Sequence, residues 1–208
     1  MKLFLSSEGI PRPDILKGLL RATEGIPTVA VINNALDPYP KDSADGFIRA
    51  LTELFHTLGF EPTNIDLREY EHKTPELKDE LHKHALIWVS GGNSFWLRYV
   101  MKTSGFDRII KELLAEGIVY GGWSAGAIVA GPSLKVIELM DPVEKAPEIV
   151  WEGLGLVPYF IWPHWNTKKY VHLQESAQNE MVKLPYESLT LSDGEALVVE
   201  NGERRIIT

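Results

Sequence analysis

Short apolar runs alternate along the chain with stretches in which apolar residues return every third or fourth position, and this alternation sets the expected architecture. Thr28-Val29-Ala30-Val31-Ile32 is apolar without a break and rich in β-branched residues, the pattern of a strand buried on both faces. After a loop containing Asp37-Pro38-Tyr39-Pro40, residues Phe47, Ile48, Leu51, Leu54, Phe55 and Leu58 recur at helical spacing. Asp42 or Ser43 is placed to cap that helix and Gly59 to end it. Asn64-Ile65-Asp66-Leu67 reads as a weaker strand, followed by a polar helix around residues 75–84. Ala85-Leu86-Ile87-Trp88-Val89 is again a buried strand, closing on Ser90-Gly91-Gly92-Asn93. Two helical segments follow, the second with Phe106, Ile109, Ile110, Leu113 and Leu114 on one face.

Ile118-Val119-Tyr120-Gly121 is a further strand, with helix expected from Ala125 onward. Phe160-Ile161-Trp162 forms a strand ending at Pro163-His164, and residues 167–184 read as a polar-faced helix. Leu189-Thr190-Leu191 is a strand, and Ala196–Val199 and Arg204–Ile207 are joined across Asn201-Gly202, a strong hairpin signal. The repeated alternation predicts an α/β fold: a mainly parallel sheet with helices on both faces and a C-terminal antiparallel hairpin. No repeat, linker or low-complexity segment divides the chain, so one domain over residues 1–208 is expected. In such sheets ligands sit beyond the C-terminal ends of the strands.

Composition narrows the chemistry. The chain has 208 residues, 44% hydrophobic and 24% charged, enough for a substantial core. Its 21 Lys and Arg against 29 Asp and Glu give a net charge of −8, and no basic block interrupts it, which argues against a nucleic-acid partner. Cysteine is absent, so disulfides, zinc-thiolate sites and a cysteine nucleophile are all excluded. The opening Met1–Leu5 is too short for a signal-peptide core and runs into Ser6-Ser7-Glu8, so a cytoplasmic location is expected. The uncharged run from Gly117 to Leu134 approaches the length of a membrane span. Its glycines, serines and Pro132 instead indicate a buried strand, a tight turn and a buried helix, and no membrane partner is expected.

Within that run lies Gly122-Trp123-Ser124-Ala125-Gly126, a G-x-S-x-G motif between an expected strand and an expected helix. A turn sharp enough to lift the serine hydroxyl clear of the backbone brings strand and helix so close that side chains two before and two after would collide. Glycine is needed at both places, and the Ala125 amide then points toward the space where an oxyanion would form. A nucleophilic serine needs a base. Of six histidines, His164 differs in standing at the end of a buried strand, with Pro163 fixing its backbone. Asp193, beside Gly194 at the end of Leu189–Leu191, is the carboxylate expected to orient the imidazole. Glu138 and Asp141, in a polar loop between Ser124 and His164, match the acid-before-histidine order of α/β-hydrolases and stand as alternative acids, with Glu175 a more distant one. Gly91-Gly92-Asn93 lets the backbone approach a ligand and offers a second oxyanion amide, or simply caps a helix through Asn93 or Ser94.

Three of these motifs together, Ser90-Gly91-Gly92-Asn93-Ser94-Phe95, Gly122-Trp123-Ser124-Ala125-Gly126-Ala127 and the strand ending Pro163-His164, resemble the serine peptidases grouped with dipeptidase E (aspartyl dipeptidase) and cyanophycinase. The resemblance spans roughly residues 28–200. It implies a fold like that of the class I glutamine amidotransferases, with serine in place of their elbow cysteine. It also implies Ser124 as nucleophile, His164 as base, and Gly92 with Ala125 as oxyanion donors. The family's acid is a glutamate in a Pro-Glu-Gly turn, and Ser192-Asp193-Gly194 looks like its counterpart. Dipeptidase E cleaves after an N-terminal aspartate, which the resemblance places against an arginine beyond the catalytic histidine. Here no arginine occurs between Arg108 and Arg204. Lys168 and Lys169 could supply positive charge, without the bidentate fork of an arginine, and Trp162 and Trp165 flank the site.

The expected activity is therefore hydrolysis of short peptides by a serine mechanism, with no metal or organic cofactor and without strict Asp-X specificity. Asn93, Trp165, Lys168 and Lys169 are the candidate substrate-binding residues. An esterase of α/β-hydrolase type, or a binding protein that retains the elbow without catalysis, are the rival readings.

Overall fold

A computed structural model describes residues 1–20 and 25–208. Seven strands form the main sheet: β1 (Lys2–Ser6), β2 (Thr28–Ile32), β3 (Glu61–Ile65), β4 (Leu86–Val89), β5 (Val119–Trp123), β8 (Ala196–Glu200) and β9 (Glu203–Ile207), in the order β3-β2-β4-β5-β1-β8-β9. The five strands from β3 to β1 are mutually parallel, while β8 and β9 complete one edge in antiparallel fashion. Helices α1 (Pro13–Leu19), α2 (Lys41–Thr57), α3 (Thr74–Leu81), α4 (Ser94–Ser104), α5 (Phe106–Ala115), α6 (Ala125–Ile128) and α7 (Gln174–Met181) connect and cover them. The remaining strands, β6 (Phe160–Trp165) and β7 (Ser188–Ser192), pair in parallel as a separate two-stranded ribbon.

Uninterrupted apolar strands fit because successive side chains leave the sheet on opposite faces and both faces are covered. Phe4, Val29, Val31, Leu86, Trp88 and Val198 enter one core with Leu16 of α1 and Leu51 and Phe55 of α2. Their alternating neighbours Leu3, Leu5, Ala30, Ile32, Ile87 and Val89 enter the other, with residues of α3, α4, α5 and α6. The expected mainly parallel sheet with a C-terminal antiparallel hairpin is therefore the architecture found.

Several elements differ from the sequence reading. The first residues are a strand, β1, in register with β5 (Leu3 opposite Tyr120, Leu5 opposite Gly122) and with β8 on its other side. Neither Asp42 nor Ser43 caps α2; the helix begins at Lys41 after Pro40, with no side-chain cap. The strand expected over 64–67 lies at Glu61–Ile65, and Asp66 instead accepts the Arg68 amide at 3.0 Å to begin a short 3-10 turn. The long helix expected over 167–184 is divided, with a 3-10 turn at Val171–Leu173 leading into α7. The uncharged run resolves into β5, a sharp turn and a single helical turn, α6. Among the described residues no helix is long and apolar enough to cross a membrane.

Candidate active site

The turn between β5 and α6 holds Ser124 at φ 48°, ψ −114°, a region that a residue with a side chain adopts only under constraint. The constraint is visible around it. The Ser124 amide donates to Ser6 O at 3.1 Å, and the buried Tyr120 hydroxyl donates to Gly126 O at 2.7 Å. A Cβ on Gly126 would run into the carbonyl oxygen of Val89, and one on Gly122 would lie 2.7 Å from the Gly126 carbonyl carbon. The strand-to-helix approach thus requires both glycines, for the steric reason inferred from their spacing.

His164 and Asp193 arrive from the β6–β7 ribbon rather than from the main sheet. His164 Nδ1 is 2.7 Å from Asp193 Oδ1 and its Nε2 is 3.0 Å from Ser124 Oγ. An ionised carboxylate only accepts, so Nδ1 carries the proton donated to Asp193, and Nε2 is left as the acceptor for the serine hydroxyl. The Tyr170 ring stacks on the imidazole, with centroids 5.4 Å apart and planes inclined by 28°. His164 is itself at φ 57°, and the β6–β7 register breaks between Trp162 and Trp165 to accommodate it. Its amide leaves the ladder and donates to Ser7 Oγ at 2.6 Å, while Ser7 Oγ donates to Asp193 Oδ1 at 2.8 Å.

The alternative acids lie elsewhere. Glu138 is exposed in a 3-10 turn at Ile137–Leu139 and lines a surface depression with Lys135 and Lys183. Asp141 is buried, and its Oδ2 accepts the Ser94 amide at 2.8 Å. Burial pushes its carboxyl above the ordinary aspartate range, only partly countered by Ser94 and by Lys169 and His164 nearby. Neither Glu138 nor Asp141 hydrogen-bonds His164, and Glu175 lies in the first turn of α7.

The loop after β4 borders the elbow: a Cβ on Gly91 would lie 3.0 Å from Ser124 Cβ. Gly92 has φ +143°, and a Cβ there would strike the carbonyl of Ala35, which accepts the Asn93 amide at 2.8 Å. Among the described residues neither the Gly92 nor the Ala125 amide donates to a backbone carbonyl. Asn93 is buried and engaged at both ends, its Oδ1 accepting the Trp96 amide at 2.8 Å as the cap of α4 and its Nδ2 donating to Pro142 O at 2.9 Å. Trp165 is half-buried against the core, Lys168 is exposed, and Lys169 places Nζ 4.7 Å from the centre of the Tyr170 ring. Among the described residues no three His, Asp or Glu side chains gather in a way that could hold a metal ion. Two residues of the site, Ser7 and Tyr170, escaped the sequence reading. The pair Ser6-Ser7 was visible only as the polar end of a short apolar run, and nothing in its spacing pointed to residues 164 and 193.

A mainly parallel sheet with an antiparallel C-terminal edge, carrying a strained serine between strand and helix, defines a class I glutamine amidotransferase-like hydrolase fold. Residues 12–207 match the model of peptidase family S51, and the chain belongs to that family. It is 30% identical over 135 residues to an uncharacterised peptidase of Listeria monocytogenes serovar 1/2a, covering 64% of this chain and 65% of that one. To the peptidase E of Haemophilus influenzae it is 31% identical over 137 residues, covering 63% and 62%. The aligned stretches thus span a little under two thirds of these relatives. A crystal structure of a candidate peptidase E from Listeria monocytogenes EGD-e superposes with a TM-score of 0.81 at 26% identity, covering 99% of this chain and 97% of the other.

Proposed function

We propose that this protein is a serine peptidase that hydrolyses short peptides through an acyl-enzyme on Ser124. The observation that carries the reading is the unbroken hydrogen-bonded run from Ser124 Oγ through the His164 ring to Asp193 Oδ1, on a serine whose backbone is held in a strained turn. His164 Nε2 takes the Ser124 proton as Oγ attacks the peptide carbonyl. The amides of Gly92 and Ala125 receive the developing oxyanion, each such donor being worth about 10²–10³ in turnover in comparable sites. His164 then protonates the leaving amine, and water, deprotonated by the same imidazole, releases the acyl group. Asp193 keeps the proton on Nδ1 and stabilises the imidazolium as it forms. No metal or organic cofactor enters these steps. A helix as short as α6 adds little dipole, so the Ala125 amide acts by its position.

For specificity, the reading favours short peptides without a strict requirement for an N-terminal aspartate. Lys168 and Lys169 are exposed beyond His164, and no arginine lies between Arg108 and Arg204 to clamp a side-chain carboxylate. Residues 1–208 act in this reading as one domain, with the cytoplasmic setting expected from the sequence. The test is a dipeptide-library hydrolysis screen on the wild-type chain and on Ser124→Ala. Cleavage by the first and none by the second, with unchanged melting behaviour, is expected; full activity in Ser124→Ala overturns the serine mechanism.

A further inference from the structure

We infer that Ser7 is a positioning residue of this site, its hydroxyl aligning His164 and Asp193 by bonding both at once; the inference rests on the serine-peptidase reading above. Ser7 follows β1 and is fully buried. A serine hydroxyl has one proton to give and lone pairs to receive with. Here it receives the His164 amide at 2.6 Å, so its proton is directed to Asp193 Oδ1 at 2.8 Å, the same oxygen that accepts His164 Nδ1–H at 2.7 Å. The Ser7 amide donates to Glu195 O at 3.0 Å, and the Glu195 carboxylate in turn accepts the Ser192 amide at 2.7 Å. One residue therefore holds the backbone of the base, the side chain of the acid and the turn that carries the acid.

Both partners need holding. Asp193 stands on an exposed turn with its side chain 34% accessible, where a carboxylate is free to rotate toward water. A second donor on Oδ1 keeps that oxygen on the imidazole. His164 lies in the left-handed backbone region, where its amide has left the ribbon ladder, and Ser7 Oγ gives that amide a buried acceptor. The neighbouring residue completes the arrangement, because Ser6 O accepts the amide of Ser124. The end of β1 thus touches all three members of the hydrogen-bonded run.

The experiment compares wild type with Ser7→Ala in peptide hydrolysis and in proton NMR of the far-downfield His164 Nδ1–H. Loss of a hydroxyl that makes two hydrogen bonds is expected to lower kcat by about tenfold to about a hundredfold with KM within about twofold, short of the ~10⁴ for loss of the acid itself. The Nδ1–H resonance should broaden or move upfield as Asp193 is released. Wild-type kcat together with an unmoved resonance overturns the inference, as does a fall in melting temperature with kcat unchanged, which is what simple stitching of β1 to the turn predicts. If Ser7→Ala does not fold, Ser7→Cys takes its place, a thiol of similar volume but weaker hydrogen bonding: the same kcat loss is expected, and wild-type turnover overturns the inference. Ser124→Ala run in parallel separates the two failures. Activity in that variant removes the serine mechanism, whereas an inactive Ser124→Ala beside a fully active Ser7→Ala removes only the role of Ser7.

Discussion

Ser124 stands at the end of a strand with sheet neighbours on both sides, whereas His164 and Asp193 stand at the ends of a two-stranded ribbon outside that sheet. On the first side, position is enforced by close packing: Gly122 and Gly126 leave no room for a methyl group, Gly91 leaves little, and the backbone is held in a conformation it would otherwise leave. On the second side, position is enforced by hydrogen bonds at a partly open surface, with 15% of the His164 side chain and 34% of that of Asp193 accessible. Steric enforcement couples a change to stability. Enforcement by hydrogen bonds couples it to alignment, with the fold left largely intact.

The comparison can be broken most severely at Ser124, where replacement by alanine should remove on the order of 10⁶ in turnover if the nucleophile assignment holds. Melting temperature should hardly change, since a partly exposed hydroxyl is lost and no cavity opens. Next, Asp193→Asn should lower turnover by about 10⁴ by allowing the wrong imidazole tautomer, again with a near-native melting curve. Steady-state kinetics beside thermal melts checks both.

The packed glycines on the sheet side should respond in the opposite sense. Gly126→Ala forces a methyl into the Val89 carbonyl and should cost about 2–4 kcal/mol in urea unfolding, with activity falling as the elbow shifts. The smallest effect on turnover is expected for Asp141→Asn, under about tenfold, because Asp141 bonds the Ser94 amide rather than His164. A loss as large as that of Asp193→Asn would identify Asp141 as the acid instead. Asp141 also makes a signed pH prediction. Burial raises its folded-state pKa, so the folded protein binds this proton more tightly than the unfolded chain. The stability associated with that proton is present at low pH and declines as pH rises from the ordinary aspartate range through the raised value. Melting scans across that window should show this component of the decline in wild type and not in Asp141→Asn.

What could be read in the sequence was local. The buried strands, the Asn201-Gly202 hairpin and the elbow glycines follow from spacing within a few residues. Ser124, His164 and Asp193 were each picked out because a strand end or a turn marked them, and the fold brings the three together. What could not be read depended on partners far along the chain. The short apolar run at Met1–Leu5 rules out a signal-peptide core but does not reveal a strand, because its partners β5 and β8 are remote in sequence. Likewise, the apolar pattern of Phe160–Trp162 gives burial without saying which sheet it joins. Ser7 and Tyr170 carried no signature at all, since a lone serine or tyrosine becomes informative only when its contacts are known.

The junction of Ser7 with Asp193 spans a separation of 186 residues, which gives the site an order of assembly. Contacts so distant along a chain are costly in loop entropy and tend to form late. During synthesis, the first strand must wait for the turn before β8 to emerge before the imidazole can be aligned. Full hydrolytic competence on this reading is acquired only when that late segment has docked, so a nascent or clipped chain lacking it would carry Ser124 without the carboxylate that aligns His164.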